Sequence, residues 1–335
     1  MRIRQSSCKC SPEVRGMRFT RSHGFSLVEL MVSMAMGLFL VAGALTIYVQ
    51  GRATHELNSK VAELQDNARL ALDLMSRDVL LADYWMRTDD AAAIARRTGD
   101  LANPMPGALE PANDCYAGYY LNVELPVDGA NDDQTGAANP FGACIDDDSR
   151  EADTDVLVVR HAAATETPRA SIANNDVYLI SNSMSGQLFV GGQPLPAGYA
   201  ADDPVSQLVT NAYYIGPSST AGKDVPSLRR MVLANGPAII DQELVPGVED
   251  MQIQLGIDTD GDGSVNSYLS PGSPALAGAT IVAVRLWLRM RTEQAELGFT
   301  DNATYQYAGH KVSPDDSLRR LVVSTTIKLR NRSTT

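Results

Sequence analysis

Asp258, Asp260 and Asp262 stand at alternate positions of a short run that continues through Gly263, Ser264, Val265 and Asn266. Counted from Asp258, acidic side chains fall at positions one, three and five, a glycine at six and Asn266 at nine. Ser264, at seven, offers its main-chain carbonyl. Oxygen ligands spaced this way converge on one hard cation when the chain turns sharply at the glycine, as in a calcium loop of the EF-hand type. Val265 would anchor such a loop on the core. Position twelve is Leu269 rather than a bidentate glutamate, so the remaining ligands must come from elsewhere in the chain or from water. The same residues also suit a solvated Asp/Gly hairpin turn. Calcium is favoured because three carboxylates this close repel one another without a cation. Asp146, Asp147 and Asp148 form a less ordered acidic run that reads as a solvated loop.

A second residue of chemical interest is Glu29, at the mouth of an uncharged stretch from Leu30 to Gly51. At about 1.5 Å per helical residue, the apolar residues from Leu30 to Val49 span roughly 30 Å, one hydrocarbon core. A carboxylate at such a place costs several kcal/mol unless it finds a partner or reaches water. Six basic residues and one acid, Glu13, precede the stretch within residues 1–24, while Glu56, Glu63 and Asp66 follow it. The basic flank places the N-terminus in the cytoplasm and exports the remainder. The small residue Gly24 lies before the apolar run, unlike the A-x-A site that follows the run in an ordinary secretory signal.

His23-Gly24-Phe25-Ser26-Leu27-Val28-Glu29-Leu30 resembles the class III signal of type IV prepilins and pseudopilins. The resemblance implies that a prepilin peptidase cuts between Gly24 and Phe25 and that the new Phe25 amine is N-methylated. Glu29 becomes the fifth residue of the mature chain, where its carboxylate pairs with the terminal ammonium of a neighbouring subunit. Such a pair rewards correct register, because a buried charge left alone is penalised far more than the pair is favoured. Leaders of this kind are short, and Met17 to Gly24 makes a complete one. Residues 1–16, with Cys8 and Cys10, then read as an extension of the true start. Two thiols alone cannot fill a tetrahedral zinc site.

The whole chain has 335 residues, a mean hydropathy of −0.13 and a formal net charge of −12. Loss of residues 1–24 removes six of 28 basic and one of 40 acidic residues, which leaves a charge of −17. A chain this acidic repels phosphate backbones, so no nucleic-acid partner is expected. No G-x-S-x-G elbow, phosphate loop, H-E-x-x-H helix or dinucleotide fingerprint occurs. His55, His161 and His310 show no ligand spacing, and no enzyme is expected.

The elements that position these residues follow from periodicity. Leu57, Val61, Leu64, Ala68, Ala71, Met75, Val79 and Ala82 recur at three- and four-residue steps. This predicts that the fibre-core helix of residues 25–51 continues as an amphipathic half over 52–87. Gly37 and Gly43 mark either a place where the helix loosens or a close approach of neighbouring helices. Residues 88–150 read as an extended, loop-rich stretch. Cys115 and Cys144 within it are expected to pair in an oxidising compartment. Strands are predicted at 156–160, 177–180, 187–190 and 212–215, and alternation adds strands at 251–257, 282–291 and 321–329, each with one wet face. A helix followed by strands implies an α+β class, with an exported β-rich head over 88–335.

Val248 to Asp258 and the terminal stretches Leu318 to Val323 and Leu329 to Arg332 resemble the PilW family of type IV pilus assembly minor pilins. That resemblance implies a long helix packed on an antiparallel sheet, and a role in priming pilus assembly near the tip. The implied partners are other minor pilins and the major pilin. The chain would sit in the inner membrane, with its head in the periplasm, before joining the pilus at the cell surface. A minor pseudopilin of a type II secretion system is the alternative, although the large tip pseudopilin typically lacks the glutamate that Glu29 supplies. A pilus-borne adhesin, working through residues 88–240, is a further one.

Overall fold

The computed structural model describes residues 24–100, 102, 115, 118–234 and 238–332. Apart from Gly24, the expected leader with Cys8 and Cys10 lies outside the described residues. The chain divides into a unit of residues 1–58 and a unit of residues 59–335. One helix, α1 (Leu27–Leu81), contributes to both.

Ser26 starts α1. Its hydroxyl accepts the Glu29 amide at 3.1 Å and its carbonyl accepts the Leu30 amide, which satisfies donors that a helix start leaves unpaired. In the first unit the helix presents Phe25, Leu27, Phe39, Ile47 and their apolar neighbours to the exterior. Its apolar window has a mean hydropathy of 2.2, and the helix is long and apolar enough to cross a membrane. It runs unbroken through Gly37 and Gly43.

In the second unit the predicted stripe goes inside. Leu64, Ala68, Ala71, Met75 and Val79 are buried and Val61 is half-buried, while Leu57, the first residue of the stripe, belongs to the first unit. The helix stops at Leu81 rather than near 87. Asp83 adopts a left-handed backbone (φ 65) and accepts the indole N–H of Trp85 at 2.8 Å, turning the chain into the head.

Eight strands form the first sheet: β1 (Ile94–Ala95), β2 (Val127–Ala130), β3 (Val156–Ala162), β4 (Val177–Ser181), β5 (Gly186–Val190), β6 (Val205–Pro217), β7 (Pro226–Ala234) and β8 (Ala238–Pro246). The long β6 organises it. Its first part lies between β3 and β4, and its second part exchanges β4 for β7, which pairs onward with β8. A second sheet has the order β10 (Ser267–Leu269), β9 (Val248–Asp258), β11 (Thr280–Arg291) and β14 (Arg320–Lys328). A hairpin of β12 (Tyr305–Tyr307) and β13 (His310–Val312) stands apart. Among the described residues, all strand pairings are antiparallel except β1 with β5. The α+β class is therefore as expected, and every predicted strand is present and longer than predicted, except that the third sheet-two strand runs 320–328.

Two cores share the first sheet. Leu157, Val159, Tyr213 and Ile215 face the α1 stripe together with Met251, Ile253, Leu255, Leu286 and Leu288 of the second sheet. Their alternates Val156, Val158, Ala212 and Tyr214 face a second core with Trp85, Tyr119, Tyr120, Phe141 and Ile145. Within the stretch 88–150, Tyr119, Tyr120 and Phe141 cover the far face of the sheet. This is why β3 is buried along its whole length. Asp146 and Asp147 are likewise placed: Asp147 accepts the Gly136 amide at 2.5 Å and Asp146 the Ser149 amide at 2.7 Å. Arg160, wholly buried, donates to the Tyr119 carbonyl at 2.9 Å and stacks 4.8 Å from the Tyr119 ring, which ties the cover down.

The far end of the chain closes the helix. The Asn331 amide donates to the carbonyls of Leu80, Leu81 and Ala82 at 3.4, 3.3 and 3.2 Å, at the end of α1 where carbonyls lack helical partners.

Met75 carries no exposed surface in the α1 core, whereas Met36 is 65% exposed in the first unit. Met75→Ala should destabilise the head by about 2–5 kcal/mol in chemical denaturation, and Met36→Ala should leave it unchanged.

Candidate functional sites at the helix start and the acidic hairpin

Gly24, Phe25 and Glu29 occupy the first turn of α1 and its approach, and Phe25 is 81% exposed. Glu29 is the third helical residue after the Ser26 cap. Negative charge is favoured there because the helix start carries a partial positive charge. Ser26-x-x-Glu29 also has the spacing of a capping box, a signal legible in the sequence but absent from the expectations above.

The acidic run forms the hairpin between β9 and β10. Ligand oxygens of Asp258, Asp260 and Asp262 can all lie within 4.8 Å of one another. Gly261 (φ 80) and Gly263 (φ 76) hold the left-handed conformations that the tight turn requires. Asp258 accepts the amides of Asp260, Gly261 and Gly263 at 3.1, 2.7 and 2.7 Å, and these bonds, led by that from Gly263, hold its carboxyl below its ordinary value. Asp262 accepts the Ser264 amide at 2.7 Å. The loop's own amides thus offset part of the repulsion that made a cation attractive.

Asn266 behaves differently from the spacing argument. Its side-chain oxygen accepts the Thr259 amide at 2.6 Å, and its amide donates to Asp260 at 3.2 Å, so it closes the hairpin. Leu269 sits in β10 opposite Leu255, so position twelve belongs to the sheet. Val265 packs over Gly256, whose missing Cβ would lie 3.0 Å from it. The three carboxylates remain together at a rigid turn, with oxygen lone pairs suited to a hard cation.

Cys115 and Cys144 are joined by a disulfide, with Cα atoms 4.7 Å apart. The bridge fastens the aromatic cover of the second core.

Sequence reasoning passed over the buried charge at the lower end of α1. Asp78 accepts the Tyr213 hydroxyl at 2.5 Å and the Asn211 amide, and lies 3.7 Å from His161 Nε2. His161 Nδ1 donates to the Ala162 carbonyl at 2.8 Å. Burial pushes the Asp78 carboxyl up, but the neighbouring His161 ring and hydrogen bonds from Tyr213 and Asn211 pull it down further, leaving it below its ordinary value.

Residues 212–331 match the family model of Type IV Pilus-assembly protein W, from within β6 to the asparagine that caps α1. Residues 19–45 match the Prokaryotic N-terminal methylation motif. No curated protein matches the chain. Among solved structures, the Type IV-like pilin TTHA1219 from Thermus thermophilus aligns over 81% of this chain and 97% of its own, at 10% identity and a TM-score of 0.39.

Because the folded-state value of Asp78 is depressed, its contribution is present above the unfolded value near pH ~4 and is lost as pH falls through the folded one. Asp78→Asn should therefore cost about 1–3 kcal/mol at neutral pH, and the difference from the parent chain should shrink below about pH 3. Urea unfolding over that range measures it.

The long apolar helix and antiparallel head agree with the two matched segments, and the chain carries both signatures of a PilW-type, pilin-like protein, one at each end.

Proposed function

We propose that this chain is a minor pilin that is built into type IV pili or primes their assembly near the tip. A prepilin peptidase removes residues 1–24 on the cytoplasmic side, and Phe25 becomes the methylated N-terminus. The α1 segment of the first unit anchors the chain in the inner membrane, with the head in the periplasm, until other minor pilins and the major pilin take it into the fibre. The work is structural rather than catalytic. The observation that carries this reading is the pairing of the two matched segments, with the methylation motif opening a helix that exposes its apolar side chains and the PilW match spanning residues 212–331 of the head.

In a fibre, those apolar side chains trade lipid for the helices of neighbouring subunits, and Glu29 gains the Phe25 ammonium of a neighbour. Glu29→Val removes that partner without disturbing the head. Electron microscopy of cells bearing this variant should show few or no pili while membrane levels of the protein are kept. Normal piliation would count against an assembly role.

The hairpin of Asp258, Asp260 and Asp262 holds calcium in this reading, with the Ser264 carbonyl and waters completing the shell. The ion would lock the turn between β9 and β10. Calcium at about 100 times its Kd should stabilise the full chain in detergent by about 2.7 kcal/mol. Asp260→Asn should abolish most of that gain. Unchanged melting with calcium would remove the metal from the account.

A further inference from the structure

The second sheet has one face toward α1 and one facing away, and the outward face is divided in its treatment of charge. At one end, Arg289 is clamped by Glu249 at 2.8 Å, and Arg320 is held by Glu249 and Asp316, each at 2.7 Å. The β12–β13 hairpin lies over this end, with the Tyr307 hydroxyl accepting from Arg289 at 2.7 Å and donating to Asp250.

The other end carries cations of a different kind. Arg285 lies with its guanidinium 3.6 Å from the ring centre of Tyr268 and 5.8 Å from that of Trp287. Among the described residues neither Arg285 nor Lys328 has a hydrogen-bond or ion-pair partner. Gly256, directly opposite Tyr268, lets that ring lie against the sheet, because a Cβ there would meet Tyr268 Cε1 at 3.0 Å. Across the strands, Thr326 stands opposite Arg285, Ser324 opposite Trp287, and Lys328 opposite Ala283, one row further on. Ser324, Thr326 and Lys328 are exposed, and Trp287 is half-buried. Arg285 therefore spends its planar faces on aromatic rings and keeps its N–H edge free, in a chain whose net charge is −12.

A guanidinium edge of this kind matches a carboxylate by two parallel hydrogen bonds. Trp287 offers a surface on which the apolar C–H face of a sugar ring stacks. Gln254, opposite Arg285 on β9, joins Ser324 and Thr326 in supplying donors and acceptors suited to sugar hydroxyls. Two cations on an acidic chain are too few to hold a polyphosphate backbone. We infer that this outward face, centred on Tyr268, Arg285 and Trp287, binds a carboxylate-bearing saccharide, one acidic sugar seated on the arginine and its neighbour on the indole.

The test uses the full chain in detergent micelles, in EDTA, so that neither calcium nor pilus assembly enters the result. Trp85 and Trp287 are the two tryptophans and Trp85 is 1% exposed, so a ligand on this face should alter the emission of Trp287. Oligogalacturonate should produce a saturable change in fluorescence. Its methyl-esterified form, which lacks only the charge, should bind at least about tenfold more weakly, as should oligogalacturonate to Arg285→Gln. Lys328→Gln, at an exposed position, should weaken binding about two- to fivefold with unchanged melting. Absence of a saturable change, equal binding of the ester, or tighter binding of polyglutamate or a single-stranded oligonucleotide would overturn the inference.

Discussion

Everything in the head depends on burial of one face of α1 between two sheets. Leu64, Ala68, Ala71, Met75 and Val79 have no other way to leave water, and each large side chain among them contributes about 1.5–3 kcal/mol when fully buried. Both sheets bring their apolar faces to the same stripe, so the helix sets where β3, β6, β9 and β11 lie. Asn331 then fixes the end of that helix from the opposite end of the chain. A subunit built this way can leave the earlier part of α1 bare for other helices, because the later part alone organises the head.

Charge is handled in three ways. Asp78 and His161 are buried together, where loss of one partner is costly. Glu249, Arg289, Arg320 and Asp316 form a partly covered network that joins three strands of the second sheet. Burial pushes the Glu249 carboxyl up, yet Arg320 and Arg289 hold it below its ordinary value. The hairpin acids and Arg285 lack such compensation from opposite charges, and these are the places where an outside ligand has something to add.

Much of this was legible in the sequence. The helix stripe and the strand positions follow from spacing, because periodicity and burial are the same fact seen twice, and the cysteine pair follows from the oxidising compartment expected for the head. Burial of β3 on both faces was not drawn from the sequence, although its composition carries the signal. Val156 and Val158 are as apolar as Leu157 and Val159, and that continuous run signals burial on both sides. The aromatic cover of residues 119–145 has no period to detect, since its order comes from long-range contacts and a disulfide. The acidic hairpin was only partly legible. Spacing identified the three acids, but it could not show that Asn266 would be engaged by Thr259. The Arg285 platform was invisible, since Tyr268, Arg285 and Ser324 meet only through strand register.

The central claim is that this chain leaves the membrane as a processed subunit of a fibre. Mass spectrometry of sheared, purified pili tests it most directly. The account predicts head peptides from this chain together with an N-terminal peptide that begins at methylated Phe25. Pili from the same cells that lack its peptides, with the intact chain beginning before Gly24 left in the membrane, would contradict it.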